Sequence, residues 1–179
     1  MLKELIQINS TSKFVNPFWE YKVDEYKMPN GKTGEYHYVN SRGATMIIPV
    51  TMQKKFVMIK QYRYLNKKTS IEFPGGGIIN GLNPLDNAKK ELSEETGYTA
   101  STLKLLGEYN PYNGITNEIC HVFMADGLNC IKPKPDESEE FEIMEYTQDE
   151  IRSKIYNGEI WDGMTIAAWS IYLINSEKN

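Results

Sequence analysis

Three glutamates, Glu91, Glu94 and Glu95, stand at i, i+3 and i+4 in a stretch bounded at both ends by helix punctuation. That stretch constrains the chain more than any other part of it. Asn83 is a candidate N-cap, Pro84 suits the first helical position, where no amide donor is required, and Gly97 sits where a left-handed C-terminal cap belongs. The spacing predicts a helix over 84–96, with Leu85, Ala88 and Leu92 as its apolar face. All three carboxylates then project from one side. Like charges so spaced repel by roughly a few tenths of a kcal/mol per pair, and acidic groups near a helix C-terminus oppose its dipole. They are either a solvated acidic face with Lys89 and Lys90 as counterions, or hard oxygen ligands for a cation such as magnesium. The residues alone leave both readings open. Upstream, Pro74-Gly75-Gly76-Gly77 reads as a loop, since three successive glycines are not expected inside a strand or helix.

Strand signals surround this helix. Phe18 to Tyr26 and Glu35 to Asn40 read as a hairpin about the Met28-Pro29-Asn30-Gly31 turn, with Gly34 as a second flexible point. Thr45 to Val50 and Lys55 to Tyr62 follow, the second with the doubly buried run Phe56-Val57-Met58-Ile59, and Ile71 to Phe73 leads into the glycines. Strands resume over Leu103 to Tyr109, Ile119 to Met124 and Glu142 to Tyr146. Helices at about Gln148 to Tyr156, where Thr147 and Glu150 form a capping-box pattern, and Thr165 to Ile174 end the pass. Strands on both sides of a mid-chain helix, with helices after them, predict an α/β (α+β) fold: a mixed sheet sandwiched by helices.

A net charge of −4 gives no footprint for duplex nucleic acid or an anionic membrane, while leaving room for a small phosphorylated ligand. Cys120 and Cys130 have neither zinc-type nor disulfide-framework spacing, Met1 to Ser12 lacks the apolar core of a signal peptide, and Ile166 to Ile174 is too short to span a bilayer. The expectation is a cytoplasmic protein with structural histidines at His37 and His121.

The segment Gly76, five residues, Leu82, seven residues, Lys90-Glu91-Leu92-Ser93-Glu94-Glu95-Thr96-Gly97-Tyr98 resembles the Nudix hydrolase signature. There the pattern is Gly, five residues, Glu, seven residues, Arg-Glu-aliphatic-x-Glu-Glu-x-Gly-aliphatic. The three glutamates, both glycines and Leu92 match in register; Leu82 and Lys90 replace the first Glu and the Arg. These two are altered together, either as an ion pair replaced by the Lys90 stem packing on Leu82 or as decay of catalysis. The resemblance implies a Nudix α/β/α sandwich over 45–179 behind an N-terminal antiparallel hairpin layer, 1–44, that dimerises and contacts a nucleoside.

Similarity is greatest to the branch acting on ADP-ribose and nucleoside-diphosphate sugars. It implies magnesium, with manganese as an alternative, held by Glu91, Glu94, Glu95, the Gly75 carbonyl and Glu139. Arg63, in Gln61-Tyr62-Arg63, would face substrate phosphates, and Glu72, Glu118, Phe18 and Trp19 would contact substrate. Within Asp136-Glu137-Ser138-Glu139-Glu140, Glu137 would be the general base beside Glu94 and Glu95 in the catalytic set. Each has a plainer reading: a surface Arg closing a strand, a tight glycine loop, a solvated acidic loop, an aromatic hairpin core. Asn113 replaces a proline often associated with ADP-ribose preference. The expected activity is hydrolysis of the diphosphate to a nucleoside monophosphate and a sugar phosphate by a homodimer. The rivals are another nucleotide substrate (a dinucleoside polyphosphate, NADH or a damaged nucleotide) and a catalytically weak nucleotide sensor.

Overall fold

The computed structural model describes residues 3–131 and 140–177. The chain divides into two compact units, Met1–Gly43 with Asn110–Ile119, and Ala44–Tyr109 with Cys120–Asn179. Residues 110–119 join the first unit through hydrogen bonds that no sequence pattern announces. Val39 N donates to Ile115 O at 2.8 Å, and Ser41 N to Asn117 Oδ1 at 2.9 Å.

The first unit is an antiparallel sheet of β1 (Ile6–Val15), β2 (Glu20–Lys27) and β3 (Thr33–Asn40), in that order. The hairpin β2–β3 turns at Gly31, whose φ is 85°. The sequence reading missed β1. Nearly all its side chains are exposed, so it has no buried face to impose an alternating pattern, and backbone pairing to β2 defines it. Gly34 lies inside β3 opposite Tyr26, not at a flexible point. A Cβ there would stand 2.9 Å from the Tyr26 ring, so the glycine makes room for it.

The second unit carries two sheets. One has the order β7 (Gly75–Gly77), β4 (Ala44–Pro49), β9 (Cys120–Cys130), β8 (Tyr98–Tyr109); the other β10 (Glu142–Tyr146), β5 (Phe56–Arg63), β6 (Lys68–Glu72). The first is mixed, because β4 runs parallel to β9 and antiparallel to β7. Strand alternation sends the side chains of β4 to opposite faces. Ala44, Met46 and Ile48 join a core with Ile151, Ala168 and Trp169 of the helices α2 (Gln148–Tyr156) and α3 (Gly163–Ser176). Ile47 packs on the other side with Ala88 and Leu92 of α1 (Pro84–Thr96) and with Phe123. Helices therefore cover both faces, which makes the α/β/α sandwich. Burying a Leu- or Ile-sized side chain on either face contributes about 1.5–3 kcal/mol. Among the described residues no helix is long and apolar enough to cross a membrane.

Two local expectations are overturned. The triple glycine forms β7, paired to β4, instead of a loop, and at Gly75 and Gly76 a side chain would meet close neighbours. Leu85 is 39% exposed, so the buried side of α1 is set by Asn87, Ala88, Leu92, Glu95 and Thr96. The helix is rotated so that a polar stripe faces β7.

Candidate active site

That stripe is Asn87, Glu91 and Glu95, spaced i, i+4 and i+8 on α1. It meets the glycine segment one contact at a time. Glu95 Oε2 accepts a hydrogen bond from Gly75 N at 2.7 Å. A Cβ on Gly76 would lie 3.0 Å from the Glu91 carboxyl carbon. Asn87 Oδ1 accepts from Ile79 N at 3.1 Å, and its amide nitrogen donates to the buried Thr45 Oγ1 at 3.0 Å. On the other side of the glycines, a Cβ on Gly75 would stand 2.2 Å from the Thr45 carbonyl oxygen. The backbone of β7 is thus held between β4 and a helix bearing carboxylates, and both approaches require glycine.

α1 begins and ends as its sequence dictates. Asn83 Oδ1 accepts from Asp86 N at 2.9 Å, and Gly97, at φ 69°, donates its N–H to Ser93 O. These caps fix which turn carries Glu91, Glu94 and Glu95. Glu94 lies off the stripe and takes a hydrogen bond from Lys90 Nζ, which also stands 3.9 Å from Glu91 Oε1. Glu95 is 5% exposed.

Arg63 and Glu72 come together on adjacent strands. Arg63 Nε donates to Glu72 Oε1 at 2.8 Å and its Nη2 donates to Oε2, while Gln61 Nε2 donates to Oε2 at 3.3 Å. The bond to Glu72 raises the Arg63 pKa above its ordinary value, helped by the negative fields of Asp162 and Glu95. The guanidinium is fixed in charge and orientation, with donors left over for a phosphate. Glu72 itself is buried. On β6, the buried Ser70 hydroxyl has no hydrogen-bond partner among the described residues.

Phe18, Trp19 and Glu118 belong to the first unit. Phe18 is 78% exposed, Trp19 leans on Phe14 with ring centroids 5.7 Å apart, and Glu118 accepts from Ser41 Oγ at 2.9 Å. This unit has its own open cleft of about 450 Å³, walled in part by Asp24, Tyr36, Tyr38 and Asn113. Glu137 and Glu139 lie outside the described residues. His37 shares a hydrogen bond with the Tyr21 hydroxyl at 2.7 Å, and His121 Nδ1 stands 2.8 Å from Glu108. Sequence reasoning gave Asn87 no role and Gln61 none beyond its place beside Arg63, but it did offer Lys90 as a counterion for the helix glutamates, where the structure places it. The signal for Asn87 was its position four residues before Glu91, continuing the Glu91–Glu95 stripe.

The donor set suits a hard divalent cation. Glu91, Glu94 and Glu95 offer carboxylate oxygens, and two of them already hold a positive charge, the Lys90 ammonium. Among the described residues no three acidic, histidine or cysteine side chains are gathered closely enough to hold one ion. A metal would have to draw these carboxylates together.

The fold and site together are an α/β/α sandwich that lays a carboxylate helix along a glycine strand. A family model for the NUDIX domain matches residues 40–163, and the chain belongs to that family, as a pyrophosphohydrolase. The chain is 35% identical over 148 residues to the ADP-ribose pyrophosphatase of Bacillus subtilis (strain 168), covering 82% of this chain and 80% of that one. It is 34% identical over 149 residues to a methanol dehydrogenase activator of Bacillus methanolicus, with the same coverage of 82% and 80%. Its fold matches the crystal structure of an ADP compounds hydrolase at a TM-score of 0.85 and 17% identity, over 99% of this chain and 97% of that one. Hydrolases of this family generally use divalent metal ions.

Proposed function

We propose that the chain hydrolyses the pyrophosphate bond of ADP-ribose or a related nucleoside-diphosphate sugar, releasing a nucleoside monophosphate and a sugar phosphate. The observation that carries this reading is the seating of Glu91 and Glu95 against Gly76 and Gly75, with Arg63 held on Glu72. The B. subtilis relative's activity supports the substrate class. Magnesium, or manganese in its place, would be held by Glu91, Glu94, Glu95, the Gly75 carbonyl and Glu139. When bound it supplies charge neutralisation at the diphosphate and a more nucleophilic water.

The chain's own residues do the rest. Arg63 presents its remaining N–H donors to a phosphoryl group and stabilises charge during in-line displacement. Glu72 and Gln61 keep that guanidinium from wandering. Glu137 is the proposed general base. In the first unit, Phe18 and Trp19 offer exposed ring faces to a base, and the Tyr36–Tyr38 cleft suits a sugar or nucleoside. We also place the protein in the cytoplasm, as a homodimer.

Glu95→Gln tests the assignment. Turnover of ADP-ribose with magnesium should fall by about 10²–10³-fold, the range for deleting one group that stabilises developing charge. Unchanged turnover would remove Glu95 from the machinery.

A second reading is a catalytically weak module that binds nucleotide without turning it over. Lys90 on Glu94 and the activator from B. methanolicus favour it. Tight ADP-ribose binding with no phosphate release after phosphatase coupling would select this reading over the first.

A further inference from the structure

We infer that Lys90 is an internal counter-cation that competes with divalent metal for Glu91 and Glu94, and so sets how much metal the site needs. This rests on the metal-dependent reading of the site, and deepens it. Lys90 Nζ donates to Glu94 Oε2 and lies 3.9 Å from Glu91 Oε1. The three side chains are 32%, 26% and 13% exposed for Lys90, Glu94 and Glu91, so the cluster is largely withdrawn from water. Glu91 lies beside Gly76, where a Cβ would stand 3.0 Å from its carboxyl carbon.

As a helix contact the Lys90–Glu94 pair is in the weaker i,i+4 orientation, Lys before Glu, and contributes at most a few tenths of a kcal/mol. The neighbouring Lys89 answers a different charge. Its ammonium pairs with Asp86 at 2.8 Å, toward the helix N-terminus. Lys90 alone of these two therefore stands on the carboxylates a metal would use. Repulsion between that ammonium and a dication held on these carboxylates lowers the dication's affinity by about tenfold or more. The flexible four-carbon stem lets the ammonium swing aside, so metal entry is throttled and not blocked.

The test is calorimetric titration of manganese chloride into the purified chain with no nucleotide present. K90Q should bind manganese about tenfold more tightly than the wild type. K90R keeps the charge on these carboxylates, and K89Q removes a charge paired elsewhere; both should stay within about threefold of the wild type, because screening weakens more distant charges. Manganese should also raise the melting temperature of K90Q more than that of the wild type, even where metal-free K90Q is the less stable protein. If K90Q fails to fold, K90M carries the same comparison. K90Q binding no tighter than the wild type, a K89Q gain equal to that of K90Q, or no manganese binding by any of them would overturn the inference. Nucleotide turnover is measured separately. A wild type that hydrolyses nothing, alongside a tighter-binding K90Q, would keep this inference and sink the proposed reaction.

Discussion

Adjacent glycines at this site are not equivalent residues. Gly75 faces the Thr45 carbonyl, Gly76 faces the Glu91 carboxylate, and Gly77 has nothing within 4 Å of where a Cβ would sit. Gly75→Ala must push a methyl into backbone that cannot yield, and should destabilise by about 1–3 kcal/mol in urea denaturation. Gly77→Ala should stay within about 0.5 kcal/mol of the wild type, as at other open surface positions. If the two variants cost the same, β7 is not pressed between β4 and α1 as described. Asn87 makes a similar point about polar burial. Its side chain joins Ile79 N to Thr45 Oγ1 with no exposed surface. Asn87→Leu keeps the volume but strands both partners, and should lower stability by about 1–3 kcal/mol. Because Asn87 supports the segment just after the glycines, the loss should be accompanied by weaker turnover.

At the scale of elements, the helix caps are local devices with a pH signature. In α2, Thr147 Oγ1 accepts from Glu150 N at 3.3 Å, and Thr147 N donates back to Glu150 Oε2 at 2.7 Å. The backbone bond from Thr147, and then its hydroxyl, lower the Glu150 pKa from the ordinary carboxylate value. The folded state therefore favours the ionised form. Its stabilising contribution is complete above the unfolded value of about 4.3 and is lost as pH falls through the lower folded value. The stability difference between wild type and Glu150→Gln should be largest near neutrality and shrink on acidification into that range. A difference that stays constant with pH, measured by urea midpoints, would separate the cap from its charge. Strand β1 belongs to the same scale. Its pairing to β2 leaves Ile6, Ile8, Phe14 and Val15 exposed, an apolar edge of the kind that recruits another chain.

For the whole molecule that edge bears on assembly. The expected state is a homodimer at micromolar concentration, and a joint Ile6→Lys, Ile8→Lys variant should sediment as a monomer. A wild type that is already monomeric would remove β1 from any such role.

The sequence by itself determined α1 to the residue, because an N-cap, a proline and a left-handed glycine act within one turn of the chain. It also determined the family, since Gly76, Glu91, Glu94, Glu95 and Gly97 hold their spacing whatever surrounds them. Tertiary structure alone decided that the glycines form a strand, that residues 110–119 join the first unit, and that α1 turns Asn87 inward in place of Leu85. Each of these depends on atoms distant in sequence competing for the same space or charge. Spacing along one chain records which groups recur, but not which of them meet.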